Sequence, residues 1–217
     1  QSLQEALFEA GREELERAGG GALKSPGDPV GTQNELRSLL LKAGKPAYVP
    51  EQFVDLSTAR ETILGLGGIP CYPILLDGAS PINEFEADPH ALVERLREWG
   101  IPMAQYITRR NHLQELEPHA KALRDAGIVL TVGTEHNTLE LIPLQPSCSG
   151  GVPHSKELRQ MFWEGACVAA AHQVRVLRGE PGFVDATGQP SQEPDLMARM
   201  GDAIIRQARG ELPVQRV

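Results

Sequence analysis

The chain's 217 residues suffice for one sizeable domain or a small domain with appendages. Acidic residues outnumber Lys plus Arg by 29 to 21, for a formal net charge of -8. This excludes a general nucleic-acid binder, which needs a basic face, but leaves room for a local basic pocket around an anionic small molecule. Only 5% of residues are aromatic, so the core must rest on Leu, Ile, Val and Ala.

The three cysteines, Cys71, Cys148 and Cys167, are far apart and form no CxxC pair. Neither a zinc knuckle nor a disulfide framework is indicated, and a reducing cytoplasm is the simplest setting. No apolar run approaches the roughly 20 residues of a membrane helix. No basic start followed by an apolar stretch marks a signal peptide. The chain begins at Gln1 rather than Met, which fits processing, a boundary chosen within a longer protein, or proteolysis.

Residues 2–18 predict an acidic helix with Leu3, Leu7, Phe8 and Leu15 near one face, stopped by Gly19–Gly21. A Gly/Pro-rich connector to Gly31 follows, so residues 1–31 read as an N-terminal helix and loop and 32–217 as the main body. A second helix is expected over 32–43, with Thr32 as N-cap and Gly44 after its end. KPAYVP reads as extended. Ser57 is placed as the cap of a helix over 57–66, closed by Gly67 and Gly68. IPCYPILL (69–76) reads as a short strand running into a loop, its two prolines confining it to an irregular place in a sheet.

A helix is expected over 88–100, capped by Asp88, opened by Pro89 and buried along Leu92, Val93, Leu96 and Trp99. A strand over 101–108, a helix over 112–127 broken near Pro118, and a β-branched strand over 128–133 complete the series. The helix 155–177 is the most apolar, and its small residues around 165–171 permit close approach either to the body of the fold or to a second subunit. A polar loop, 179–194, leads to a last helix over 195–209.

Strand and helix alternate at about the ~30-residue spacing of a βαβ unit, so a parallel α/β sheet is expected, either a barrel or an open doubly wound sheet. No Gly-rich nucleotide-binding motif is present. Both architectures bind ligands at the C-terminal ends of their strands.

Three such ends carry chemistry. The first, CYPILLDGAS (71–80), places Tyr72, Asp77 and Ser80 in or just past an apolar run. After the second come Arg109, Arg110 and Asn111; the arginine forks suit phosphate or carboxylate, or are solvated loop charges, and Asn111 doubles as a helix N-cap. After the third, Thr134, Glu135, His136 and Asn137 follow in succession. Carboxylate and imidazole suit a divalent metal, and Glu also serves as a general base; the competing reading is a turn in which both satisfy backbone groups. Of the remaining histidines, His90, His112 and His119 read as exposed, His154 as a loop residue before a helix capped by Ser155, and His172 as a core-edge residue.

The series FVDLSTARETILGLGGIPCYPILLDG, LVERLREWGIPMAQYITRRN and AGIVLTVGTEHNT resembles the later part of a PHP (polymerase and histidinol phosphatase) domain, from about residue 34 to about 175. The resemblance implies a distorted (β/α) barrel that binds divalent metal ions, here zinc, manganese or iron, and hydrolyses phosphate esters, most directly of a small phosphorylated metabolite. By resemblance, Glu135 stands where the family has a metal-binding Asp. His136 is one residue early for the family's His, and Asn137 occupies that place. Tyr72 stands where a His-Pro segment has its His, and Arg110 and Asn111 line the pocket.

The family's opening H-x-H is absent from this chain, which implies either that those ligands lie upstream in a longer protein or that this is a non-catalytic relative. A half-barrel also needs a further segment or a second copy to cover its sheet edges. Two alternatives stay open on the same scaffold: a sugar-acid isomerase or other metal-dependent hydrolase, and a metal-free binding or regulatory module.

Overall fold

The computed structural model describes residues 17, 28–50, 52–76, 84–134 and 142–212. Asp77, Ser80, Glu135, His136 and Asn137, and the expected helix over 2–18 apart from Arg17, lie outside the described residues. The chain divides into two compact units, one of residues 1–54 with 136–142 and one of 55–135 with 143–217.

In the first unit, α1 spans Pro29–Leu36 and continues as a wider π-helical turn over Arg37–Leu41. Its cap is Asp28, whose carboxylate accepts the Val30 N–H at 3.0 Å. Thr32, expected as the cap, is instead inside the first turn: it is buried and its N–H bonds the Asp28 carbonyl at 2.8 Å. An Asp-Pro pair starts this helix just as Asp88-Pro89 starts a later one, and the boundary expected at residue 31 therefore falls within α1. Leu36 and Leu40 are buried together, with Leu39 against them.

The second unit holds the sheet. Helix α2 (Leu56–Gly65) is capped by Asp55 rather than Ser57. Asp55 accepts from the Thr58 N–H at 2.9 Å and from the Ser57 and Thr58 hydroxyls at 2.5 and 2.7 Å, which hold its carboxyl well below the usual range. Strands β1 (Cys71–Ile74), β2 (Met103–Ile107) and β3 (Val129–Gly133) are parallel and lie in the order β1-β2-β3. Between β1 and β2 lie α3 (Glu84–Ala87) and α4 (Pro89–Trp99); between β2 and β3 lies α5 (Leu113–Asp125). The parallel α/β pattern read from the sequence is thus present, as an open three-stranded sheet among the described residues.

The strands alternate between two cores. Ala104, Tyr106 and Leu130 pack with Leu92, Leu96, Leu116 and Leu123 of α4 and α5. Met103 and Val129 face the opposite way, toward Val168, Phe183 and Met197. Both faces are covered, as parallel sheets require. Helix α5 runs unbroken through Pro118. The missing N–H lies one turn into the helix, and burial of Leu116, Ala120 and Leu123 on both sides of it outweighs one lost bond.

Helix α6 (Lys156–Leu177), capped by Ser155 through the Leu158 N–H at 3.1 Å, packs against the outer strand β3 and against α7 (Pro194–Ala208). Its small residues serve contacts within the unit. A methyl at Gly165 would sit 1.9 Å from the Leu130 carbonyl oxygen, and one at Gly201 of α7 would sit 1.8 Å from that of Cys167. The loop before α7 is tied by an antiparallel bridge between Val184 and Pro190 and by His172, which accepts the Phe183 N–H at Nδ1 (2.9 Å) and reaches the Gly67 carbonyl through Nε2 (3.0 Å). His172 is therefore a core-edge residue, as expected.

Candidate functional site at the strand ends

The register makes the three strands finish nearly level: Ile74 pairs with Tyr106, and Ile107 with Gly133. The segments leaving them, 75–76, 108–111 and Thr134, therefore emerge at one edge of the sheet. Thr108–Arg110 form a single 3-10 turn directly after β2, with Thr108 buried and both arginines exposed. Asn111 is wholly buried and does not cap α5; that position is taken by His112. Its Nδ2 donates to the Leu75 carbonyl at 3.2 Å and its own carbonyl accepts the Ser149 N–H at 2.9 Å. Thr108 Oγ1 donates to the Ser147 carbonyl at 2.9 Å. These bonds join the exits of β1 and β2 to the return loop before α6.

Leu76 adds strain at the same edge. It is the one described non-glycine residue with positive φ, 47°, and it is buried. An L side chain in this region costs roughly 1–2 kcal/mol, so packing must hold it there.

Tyr72 is not part of the edge. It is the second residue of β1, its ring lies 6.4 Å from Phe85 and 5.9 Å from Trp99, and its hydroxyl donates to Glu86 Oε1 at 2.5 Å. The strand starts at Cys71, so position 72 falls at its beginning, away from the edge where the strand ends. Glu86, a buried carboxylate from α3, also receives the Leu75 N–H at 3.4 Å. Its carbonyl takes a bond from His119 Nε2 at 2.8 Å, and His119 Nδ1 lies 2.6 Å from the Tyr106 hydroxyl. With Nε2–H donating, Nδ1 is the acceptor and Tyr106 the donor. His119, expected at the surface, is thus buried inside a satisfied chain of polar groups, and burial holds it below its ordinary pKa. Burial likewise drives the Tyr106 phenol far above its usual range.

Sequence reading missed Glu86, His119 and Thr108 as buried polar groups. The first two lie on helical turns whose periodicity does not distinguish an inward polar residue from an outward one, and no motif marks them. The return loop supplies a further group, His154, which is buried beside Phe162 at a ring distance of 5.3 Å.

No family model, no curated protein and no solved structure matches the chain. The described groups at the edge are guanidinium, hydroxyl and amide, which bind anions and position loops. Among the described residues no cluster of three or more His, Cys, Asp or Glu is arranged to hold a metal ion. A metal at this edge would depend on Glu135 and His136, directly after Thr134 in the chain. No described helix is long and apolar enough to cross a membrane.

Proposed function

We propose that the chain is the later part of a PHP-like, metal-dependent hydrolase that acts on a small phosphorylated metabolite. The level ending of three parallel strands carries this reading. It brings the Arg109-Arg110 turn and the segments leading to Asp77 and to Glu135-His136 to a single edge, where α/β proteins bind ligands. Arg109 and Arg110 would receive the phosphoryl oxygens, with Asn111 fixing the turn that carries them. Glu135 and His136 would hold a zinc, manganese or iron ion. A bound metal would supply charge neutralisation and an acidified water.

The test uses the protein purified from its own cells. Metal content is measured by mass spectrometry, and hydrolysis is followed on sugar phosphates beside the unphosphorylated sugars. Bound metal together with phosphate release, both lost in Glu135→Gln and the second lost in Arg110→Gln, is the expected result. A metal-free protein inert toward phosphate esters would sink the proposal.

One observation favours a second reading, a PHP-like binding or regulatory module without catalysis. Tyr72, where the resembled family has a histidine, is committed to Glu86 through its hydroxyl and to the Phe85–Trp99 cluster through its ring. The same metal measurement separates the two.

A further inference from the structure

Beside the strand-end edge, a cleft of about 460 Å³ opens between the end of β3 and the first turns of α6. Its walls are apolar, formed chiefly by Val132, Pro146, Phe162 and Trp163. Three polar side chains also line it, Gln145, Arg159 and His154. Arg159, on the exposed side of α6, supplies a guanidinium. His154 is 7% exposed, and its Nε2 is shut off from solvent without any hydrogen-bond partner. A buried ring nitrogen left unsatisfied is a cost to the fold that a ligand contact would offset. The volume lies within the few hundred Å³ typical of small-molecule sites, and apolar walls with a few placed polar groups are their usual composition.

We propose that this cleft binds a small carboxylate with an apolar, aryl-sized body, its carboxylate paired with Arg159 and its second polar contact made to His154. A single guanidinium, with the Gln145 amide and one imidazole as the other polar groups, matches a monoanion better than a phosphate dianion, which calls for more than one positive charge. The Phe162 and Trp163 side chains, with Val132 and Pro146, favour a flat or branched apolar body over a sugar. Contact with the ligand would require a half-turn of the His154 ring about the Cβ–Cγ bond, which exchanges Nε2 with Cε1. The site needs neither Glu135 nor the arginine pair after β2, so it stands apart from the proposed hydrolytic chemistry.

The test is calorimetric titration of the whole chain with phenylacetate, using 2-phenylethanol as the uncharged partner. Phenylacetate is expected to bind one to one with a Kd of about 1 mM or below, and 2-phenylethanol roughly tenfold or more weakly. Arg159→Gln should erase the preference while leaving the alcohol's affinity unchanged. Ala166→Trp, a substitution at an exposed helical position lining the cleft, should fill it and abolish both. Absence of saturable phenylacetate binding up to about 10 mM would overturn the proposal. So would binding that both variants leave unaltered.

Discussion

Replacing Gly165 by Ala tests how α6 is seated. The added methyl would lie 1.9 Å from the Leu130 carbonyl oxygen, 2.7 Å from its carbonyl carbon and 3.1 Å from Thr131 Cγ2. A comfortable carbon–oxygen contact is roughly 3.3 Å, so the first approach is about 1.4 Å too close. The obstacles nearest the methyl are backbone, and β3 is held in register by β2, so the strand cannot yield locally. The helix must move outward, opening the contacts of Met161 and Val168 beneath it. Overpacking of this kind costs about 1–3 kcal/mol, and this clash belongs at the upper end. The better helix propensity of Ala returns about 1 kcal/mol. The expected net loss is about 2 kcal/mol or more, and at roughly 2–4 °C per kcal/mol for a chain of this size the Tm falls by roughly 4–8 °C. Thermal and urea unfolding followed by circular dichroism measure this. Gly65→Ala in α2, where a methyl meets nothing within 4 Å, is the control and should be neutral or stabilising. If Gly165→Ala were as stable as the control, the close seating of α6 on β3 would be wrong.

Three further outcomes are expected. Tyr106→Phe leaves the buried His119 Nδ1 without its donor and should cost about 1–3 kcal/mol in urea unfolding at pH 7.5; an unchanged midpoint would show that the 2.6 Å bond does not hold in solution. His119 is held below its ordinary value chiefly by burial, and His154 by burial with the Arg159 charge adding, so the unfolded chain binds more protons than the native one below the ordinary histidine pKa of 6.5. Their stabilisation is complete above that pH and declines as pH falls from 6.5 toward the lower native values; His119→Gln should flatten the fall, and a parallel profile would refute the assignment. Native protein treated with a thiol-specific aromatic disulfide should show only Cys71 as reactive, because Cys71 is exposed whereas Cys148 and Cys167 are each 1% exposed. All three should react in denaturant, and immediate reaction of all three in native protein would contradict the packing of α6.

The elements of the sheet were legible because their signals were local and redundant. Val129–Gly133 is short, β-branched and ends in Gly, and Pro89–Trp99 carries an Asp-Pro start with a clean apolar stripe. The caps were less legible. Asp28 and Asp55 outcompeted Thr32 and Ser57, each by starting the helix earlier and offering a carboxylate to a first-turn N–H. Pro118 was read as a break because sequence shows the lost hydrogen bond but not the buried leucines that hold the helix through it. Sidedness was hidden altogether. Whether the small residues of α6 met the sheet or another subunit depends on contacts with Leu130 of β3 and Gly201 of α7, which are distant in sequence and on other elements. The inward aim of His119 and Glu86 is set in the same way, by Tyr106 and Tyr72 across the fold.

For the strand-end edge, the sequence placed Arg109, Arg110 and Asn111 together but could not assign them different jobs. The structure does, through burial. The two guanidiniums face solvent on one 3-10 turn, whereas Asn111 is turned inward and spends its amide and carbonyl on Leu75 and Ser149. A loop bearing two adjacent like charges gains nothing from keeping them close in water, and a flexible one would let them separate. Here the turn is bound to the exit of β1 through Asn111 and to the return loop through Thr108, while Leu76 is kept in a left-handed conformation beside it. Order of this kind, maintained beneath exposed charges at the expense of backbone strain, is what the proposed anion site would require. The buried amide, more than the arginines themselves, is therefore what supports the proposed reading of this turn.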